Sequence, residues 1–233
     1  MTEITILAVT RLSDGVCVAG VTQDGQWVRP TRPTSLDWRQ LEYSDCKDKS
    51  GAWAVRKGNI VAMDLAEPIP AEAHSEDLRI GRQAPVLVKQ LPEAEYRQVC
   101  AELTEGSTAP IEGPDAKRSL MMVHPAKITS FSFDVEENWK GQKKYTPRCT
   151  FWLGGRLYRD RPVSDAEWRE HGRHIRKKNG GDCRLTGEEV FRSLGIEDCW
   201  LTLGRNEVES NIYLMVIGVH LFPVRRFEMD FGR

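Results

Sequence analysis

The chain has 233 residues, room for one large domain or two small ones with real hydrophobic cores. Hydrophobic residues make up 40% and charged residues 29%, the balance of an ordinary globular protein, and the longest apolar run, Ile212 to Pro223, contains His220 and falls short of the roughly 18–20 residues that span a bilayer. The net charge of −1 conceals a split: residues 1–116 carry 12 Lys+Arg against 18 Asp+Glu (net −6), and residues 117–233 carry 21 against 16 (net +5), which points any polyanionic partner at the second half.

Met1-Thr2-Glu3 lacks the basic n-region of a signal peptide, so a cytoplasmic location is expected. The cysteines Cys17, Cys46, Cys100, Cys149, Cys183 and Cys199 are scattered without a C-x-x-C pair. In that compartment they read as reduced thiols, several of them buried.

"EITILAVT" (3–10) and "GVCVAGVT" (15–22) are β-rich runs, with Asp14-Gly15 a favoured turn dipeptide between them. Asp24-Gly25 turns the chain into "QWVRP" (26–30), where Pro30 lacks an amide proton; the strand is expected to stop there or to lie at an edge. Residues 34–57, with Trp38 and Trp53, read as a loop or short helical passage. "GNIVAMDLAEP" (58–68) is a further strand, and "EDLRIG" (76–81) with "PVLVKQL" (85–91) suggests a pair. "PEAEYRQVCAEL" (92–103) opens with proline at a first helical position and puts Tyr96, Val99, Cys100 and Leu103 on one stripe. "TEGSTAPIEGPDAK" (104–117), without periodicity, is the best linker in the chain.

The strand pattern then restarts. "SLMMVHPAKITSFSFDVE" (119–136) alternates Ile128, Ser130 and Ser132 against Thr129, Phe131 and Phe133. The basic connector "ENWKGQKK" leads to "YTPRCTFWLGG" (145–155) and "RLYRDRPV" (156–163), joined at Gly154-Gly155. Ser164-Asp165-Ala166-Glu167 is a capping box for a helix reaching Lys178, and Thr186-Gly187-Glu188-Glu189 is a second box for a short helix ending at Gly195. "DCWLTLG" (198–204) and "IYLMVIGVHLF" (212–222) are the closing strands.

Short strands with few helices in each half suggest a mainly β chain with inserted helices, two small barrels or sandwiches in tandem. "ILAVTR", "CVAGV" and "WVRP" resemble the opening of the bacterial dual OB domain-containing proteins, an apolar strand and a short turn before C-[VI]-A-G and W-[IV]-R-P. "KKYTPRCTFWLGGRLYRDRPVSDAEW" and "DCWLTLG … NIYLMVIGVHLFP" are similar to that family's later strands. The chain departs where the family has V-T-D-P: Val163-Ser164-Asp165-Ala166 loses the proline and keeps the cap. The resemblance implies two tandem OB-like β-barrels and supplies neither reaction nor ligand. The expected division is 1–112, a barrel ending in a helix, and 117–233, a barrel with a helical insertion around 164–195.

Candidate chemistry follows from charge beside aromatics. On the expected β-face, Trp27 and Arg29 alternate onto one side and Arg32 follows, a stacking-plus-cation platform; alternatively Trp27 closes the barrel end and Arg29 pairs with an acidic neighbour. Lys140, Lys143, Lys144 and Arg148 interleave with Trp139, Tyr145 and Trp152, a mixture suited to unpaired bases, or else a solvated hairpin loop. Arg169, Arg173 and Lys177 form a helical stripe open to phosphates, although cations near a helix C-terminus also complement its dipole. His171, His174, Cys183 and Cys199 lack the close spacing of a zinc set, so no metal and no cofactor are expected. No phosphate-loop, serine-hydrolase or zincin motif is present, and a non-catalytic role is expected, although a dispersed active site leaves no such mark.

These readings favour binding of single-stranded DNA or RNA through the basic second half. A module recruiting a protein partner or a small nucleotide between the barrels, and a nucleic-acid-modifying enzyme, are the alternatives.

Overall fold

The first sheet is laid down by two runs rich in β-branched residues. β1 (Thr2–Arg11) and β2 (Val16–Thr22) pair antiparallel from Ile4↔Thr22 to Arg11↔Val16, with an irregularity between Ile6 and Ala8. Ile4, Ile6, Ala8, Val18 and Val21 are buried by this pairing. Gly20 is required by it: a Cβ there would lie 2.4 Å from the Thr5 carbonyl oxygen. This computed structural model describes residues 1–11, 15–32, 40–68, 74–113, 115–137, 141, 143–208 and 211–229.

The chain is mainly β and forms two compact units, Met1–Leu103 with Ala109–Leu120, and Thr104–Thr108 with Met121–Arg233. In the first, β1 and β2 are joined by β3 (Trp27–Thr31), β4 (Asn59–Met63), β5 (Leu65–Pro68), β6 (Asp77–Ile80) and β7 (Val86–Gln90) in the order β5-β6-β3-β2-β1-β4-β7. A 3-10 turn occupies Tyr43–Cys46, and the helices are α1 (Glu93–Glu102) and the single turn α2 (Ala109–Glu112), which buries Ile111. Trp38 lies outside the described residues.

Two expectations are corrected here. The strand does not stop at Pro30: Trp27 and Val28 pair with β2, then Arg29, Pro30 and Thr31 pair parallel with Asp77, Leu78 and Arg79 of β6. The Arg29 amide donates to the Glu76 carbonyl at 2.8 Å, so the nitrogen of Pro30 faces the side where pairing with β2 has ended and no donor is needed. Nor do β6 and β7 pair with each other. β6 is taken by β3 and β5, and β7 by β4, because turns alone do not set long-range partners.

The second unit holds β8 (Leu120–Val123), which begins at the division, β9 (Lys127–Glu137), β10 (Lys143–Leu153), β11 (Arg156–Pro162), β12 (Cys183–Thr186), β13 (Asp198–Val208) and β14 (Asn211–Phe222). They form sheets ordered β11-β10-β9-β12 and β14-β13-β8, linked by a parallel bridge between Val163 and Val216. Helices α3 (Ala166–Lys178) and α4 (Gly187–Leu194) are the insertion.

The alternation in β9 carries a bulge. Thr150 faces Ser130 and Phe151 faces Ile128, leaving Thr129 over. Ile128 therefore joins Phe131 and Phe133 on the buried face rather than Ser130 and Ser132 on the other. The cap of α3 is also one residue later than the capping box implies. Ser164 is held in extended pairing by its amide, which donates a hydrogen bond to the Val216 carbonyl, and Asp165 caps the helix, accepting from Trp168 N with one oxygen and from Val219 N with the other, both at 2.8 Å. The box at Thr186 and Glu189 forms reciprocally, and α4 ends at Gly195 with φ 62°.

Candidate nucleic-acid interface

Register alone decides which side chains share the outer face of β11-β10-β9-β12, because cross-strand partners point the same way. Trp152 stands in a row with Lys127 and Leu157. Next come Ser130, Thr150 and Thr186, then Ser132 with Arg148 and Arg184, then Asp134 with Thr146, and last Glu136 with Lys144. The indole of Trp152 is 40% exposed although Phe151 and Leu153 beside it are buried. The pleat, not looseness, puts it outside.

The paired rows of this face carry the cations Lys127, Lys144, Arg148 and Arg184, with the carboxylates Asp134, Glu136 and Asp160 nearby. Arg148 donates to both oxygens of Glu136 at 2.6 and 2.8 Å and to the Asp160 carbonyl at 2.9 Å; Arg184 reaches Asp160 Oδ1 at 2.7 Å. The hydrogen-bonded guanidinium of Arg148 holds the Glu136 carboxyl below its ordinary pKa. Asp160 has φ 46°, in the left-handed region, where a bulge of β11 sets it against Thr150 and its amide donates to Thr150 Oγ1 at 3.0 Å. Such half-exposed pairs stabilise by about 0–1 kcal/mol, little enough that a phosphate can compete for the arginines.

The helical stripe is used differently. Trp168 of α3 is buried against Phe131 and Phe133, with ring centroids 4.5 and 5.9 Å apart. The guanidinium carbons of Arg169, Arg173 and Arg176 lie 5.4, 5.4 and 5.7 Å from the Tyr145 ring. Arg169 also donates to the Tyr145 carbonyl at 2.9 Å, Arg173 is paired with Glu170, and Arg176 with Asp182 at 2.5 Å. Burial drives the Tyr145 hydroxyl above its ordinary pKa in spite of these three cations. Helix and sheet approach so closely that a Cβ on Gly172 would lie 2.2 Å from Tyr145 Oη and 2.3 Å from Phe133 Cδ1.

The predicted residues therefore separate. Trp152, Lys144 and Arg148 share the outer face; Lys143, opposite Glu137, alternates onto the other face of β10, and Lys177 is exposed at the end of α3. Lys127, Lys143, Lys144 and Lys177 make no ion pair among the described residues. Lys140 and Trp139 lie outside the described residues. Arg169 and Arg173 are drawn onto Tyr145.

In the first unit Trp27 is half-buried, and Arg29 on its side of β3 is bound bidentately to the fully buried Asp77. Arg32 pairs with Asp45 and, at 3.7 Å, Glu42. The cation of the Trp27/Arg29 pair is thus internal. Lys127, Arg184 and Asp160 escaped sequence reasoning: Lys127 meets Trp152 only through the register of β9, and residues 183–186 are too short and polar to declare themselves a strand.

His171 stacks on Phe227 at 4.0 Å, and burial, with His174 nearby, lowers its pKa to about 4, so it is neutral near pH 7. No three His, Cys, Asp or Glu residues converge on a common point among the described residues, and no helix among them is long and apolar enough to cross a membrane. A family model described as a dual OB-containing domain matches residues 2–219. No curated protein matches the chain.

Proposed function

From this chain's membership of the dual OB-containing domain family, we propose that it binds single-stranded DNA or RNA across the outer face of β11-β10-β9-β12. The observation that carries this reading is Trp152, an exposed indole one residue before the end of β10, with Lys127 and Leu157 on either side. A base stacks on the indole, a contribution of about 1–3 kcal/mol, and Lys127 and Lys144 meet the phosphates. Ser130 and Thr186 lie in the row between Trp152 and Lys144.

Binding is led by stacking rather than by charge, because the arginines of this face already hold carboxylates. A mobility-shift titration with a labelled twelve-nucleotide strand and its duplex tests it. Preference for the single strand, lost in Trp152→Ala, is expected; equal affinity for duplex, or binding indifferent to Trp152, would refute it.

One observation favours a second reading, a protein partner. β7 ends the sheet of the first unit, and its Val86, Leu87 and Val88 are exposed at 46%, 44% and 47%. An apolar edge of that kind accepts an added strand. Val86→Lys with Val88→Lys would abolish such an association while sparing oligonucleotide binding.

A further inference from the structure

The first unit contains a cavity of about 660 Å³, within the size range of small-molecule sites. Its wall is split by chemistry. Arg32, Arg79 and Arg82 supply three guanidinium groups, and Ile80 and Pro85 an apolar surface. Arg32 is partly neutralised by Asp45, which also lines the cavity, and by Glu42. Arg79 and Arg82 are exposed and make no ion pair among the described residues.

The position of Arg82 is fixed by the backbone. The Gly81 amide donates to the Asp64 carbonyl at 2.6 Å, and the amides of Arg82 and Gln83 donate to Asp64 Oδ2 at 3.0 and 3.2 Å. A Cβ on Gly81 would lie 2.1 Å from that carboxylate, so only glycine permits the clamp. Arg79 is set by its place in β6, opposite Thr31, one residue before Arg32. A parallel strand pair and a carboxylate-pinned turn thus bring Arg32 to one cavity with Arg79 and Arg82, about 50 positions further along the chain.

We propose that this cavity binds a small phosphorylated molecule of nucleotide size, its phosphate between Arg79 and Arg82 and its less polar body against Ile80 and Pro85. Guanidinium groups bind phosphate oxygens in paired, charge-assisted hydrogen bonds, and two of the three here have no carboxylate to satisfy them. The cavity exceeds what inorganic phosphate fills, and its apolar wall has no use for a bare anion. This site is separate from the face of the second unit and does not depend on that reading.

Isothermal titration of the full chain with AMP, ATP, adenosine and inorganic phosphate tests it, alongside Arg79→Gln/Arg82→Gln and Trp152→Ala. AMP or ATP is expected to bind more tightly than adenosine and than phosphate, to lose about tenfold or more in affinity in the double variant, and to be unaffected by Trp152→Ala. Both arginines are exposed, so an unchanged thermal midpoint will confirm that the double variant is folded. Nucleotides binding no better than adenosine, phosphate binding as tightly as AMP, or affinity surviving the double substitution would each overturn the proposal. Because Trp152→Ala addresses the other site alone, failure here and failure of strand binding are told apart.

Discussion

Arg29 and Asp77 form a bidentate pair at the parallel junction of β3 and β6, with Nε 2.5 Å from Oδ1 and Nη2 2.9 Å from Oδ2. Burial opposes the guanidinium charge, but hydrogen bonding to Asp77 together with the negative charges of Asp77 and Glu76 outweighs it and holds the arginine pKa above its ordinary value. The Asp77 side chain is wholly buried. Arg29→Met would leave that carboxylate without its main partner, and a loss of about 3–5 kcal/mol in stability is expected from urea denaturation. Strand binding at 4 °C by the molecules that remain folded should not change, since the pair is internal.

Trp152 is exposed and supports little of the core, so Trp152→Ala should lower the unfolding free energy by less than about 1 kcal/mol. Affinity for a single strand should fall about 5- to 150-fold, the equivalent of one lost base stack. Trp152→Phe should recover part of it. Fluorescence quenching of the wild-type protein on oligonucleotide addition, diminished in the Ala variant, is a second check.

With two lysines at the phosphates, the slope of log K against log salt concentration should be near −1.4, about −0.7 for each phosphate on a single strand. A slope of about −2.8 would mean that Arg148 and Arg184 have opened as well. Lys127→Gln with Lys144→Gln should bring the slope close to zero without touching the stacking contribution.

Gly172 lets α3 settle onto Tyr145 and Phe133. Gly172→Ala gains helix propensity, yet its methyl group overlaps two rings. A net destabilisation of about 1–3 kcal/mol is expected by chemical denaturation, because rigid aromatic neighbours cannot yield cheaply.

His171 links stability to pH. Its folded pKa of about 4 lies below the ordinary 6.5, so as pH falls the unfolded chain takes up a proton first. The stability associated with the neutral ring is whole above pH 6.5 and is lost progressively as pH falls toward about 4. In His171→Phe the thermal midpoint should decline less between those limits than in wild type.

The local parts of this fold are written in local residues. Both glycine turns, at Asp24-Gly25 and Gly154-Gly155, lie between the expected strands, the Thr186 box caps its helix, and α1 begins after Pro92, since each depends on neighbours a few positions away. The sequence by itself determined a mainly β chain of dual-OB character, an excess of cations past Ala116, and Trp152 as an aromatic among them. Which cations are left to a ligand was decided only by tertiary structure. Coulomb pairing depends on distance in space: Arg29 meets Asp77 across 48 positions, Arg148 meets Glu136 across a strand pair, and Lys127 reaches Trp152 through a register that a single bulge at Thr129 shifts. Composition counts charges, but only the pairing of strands neutralises them.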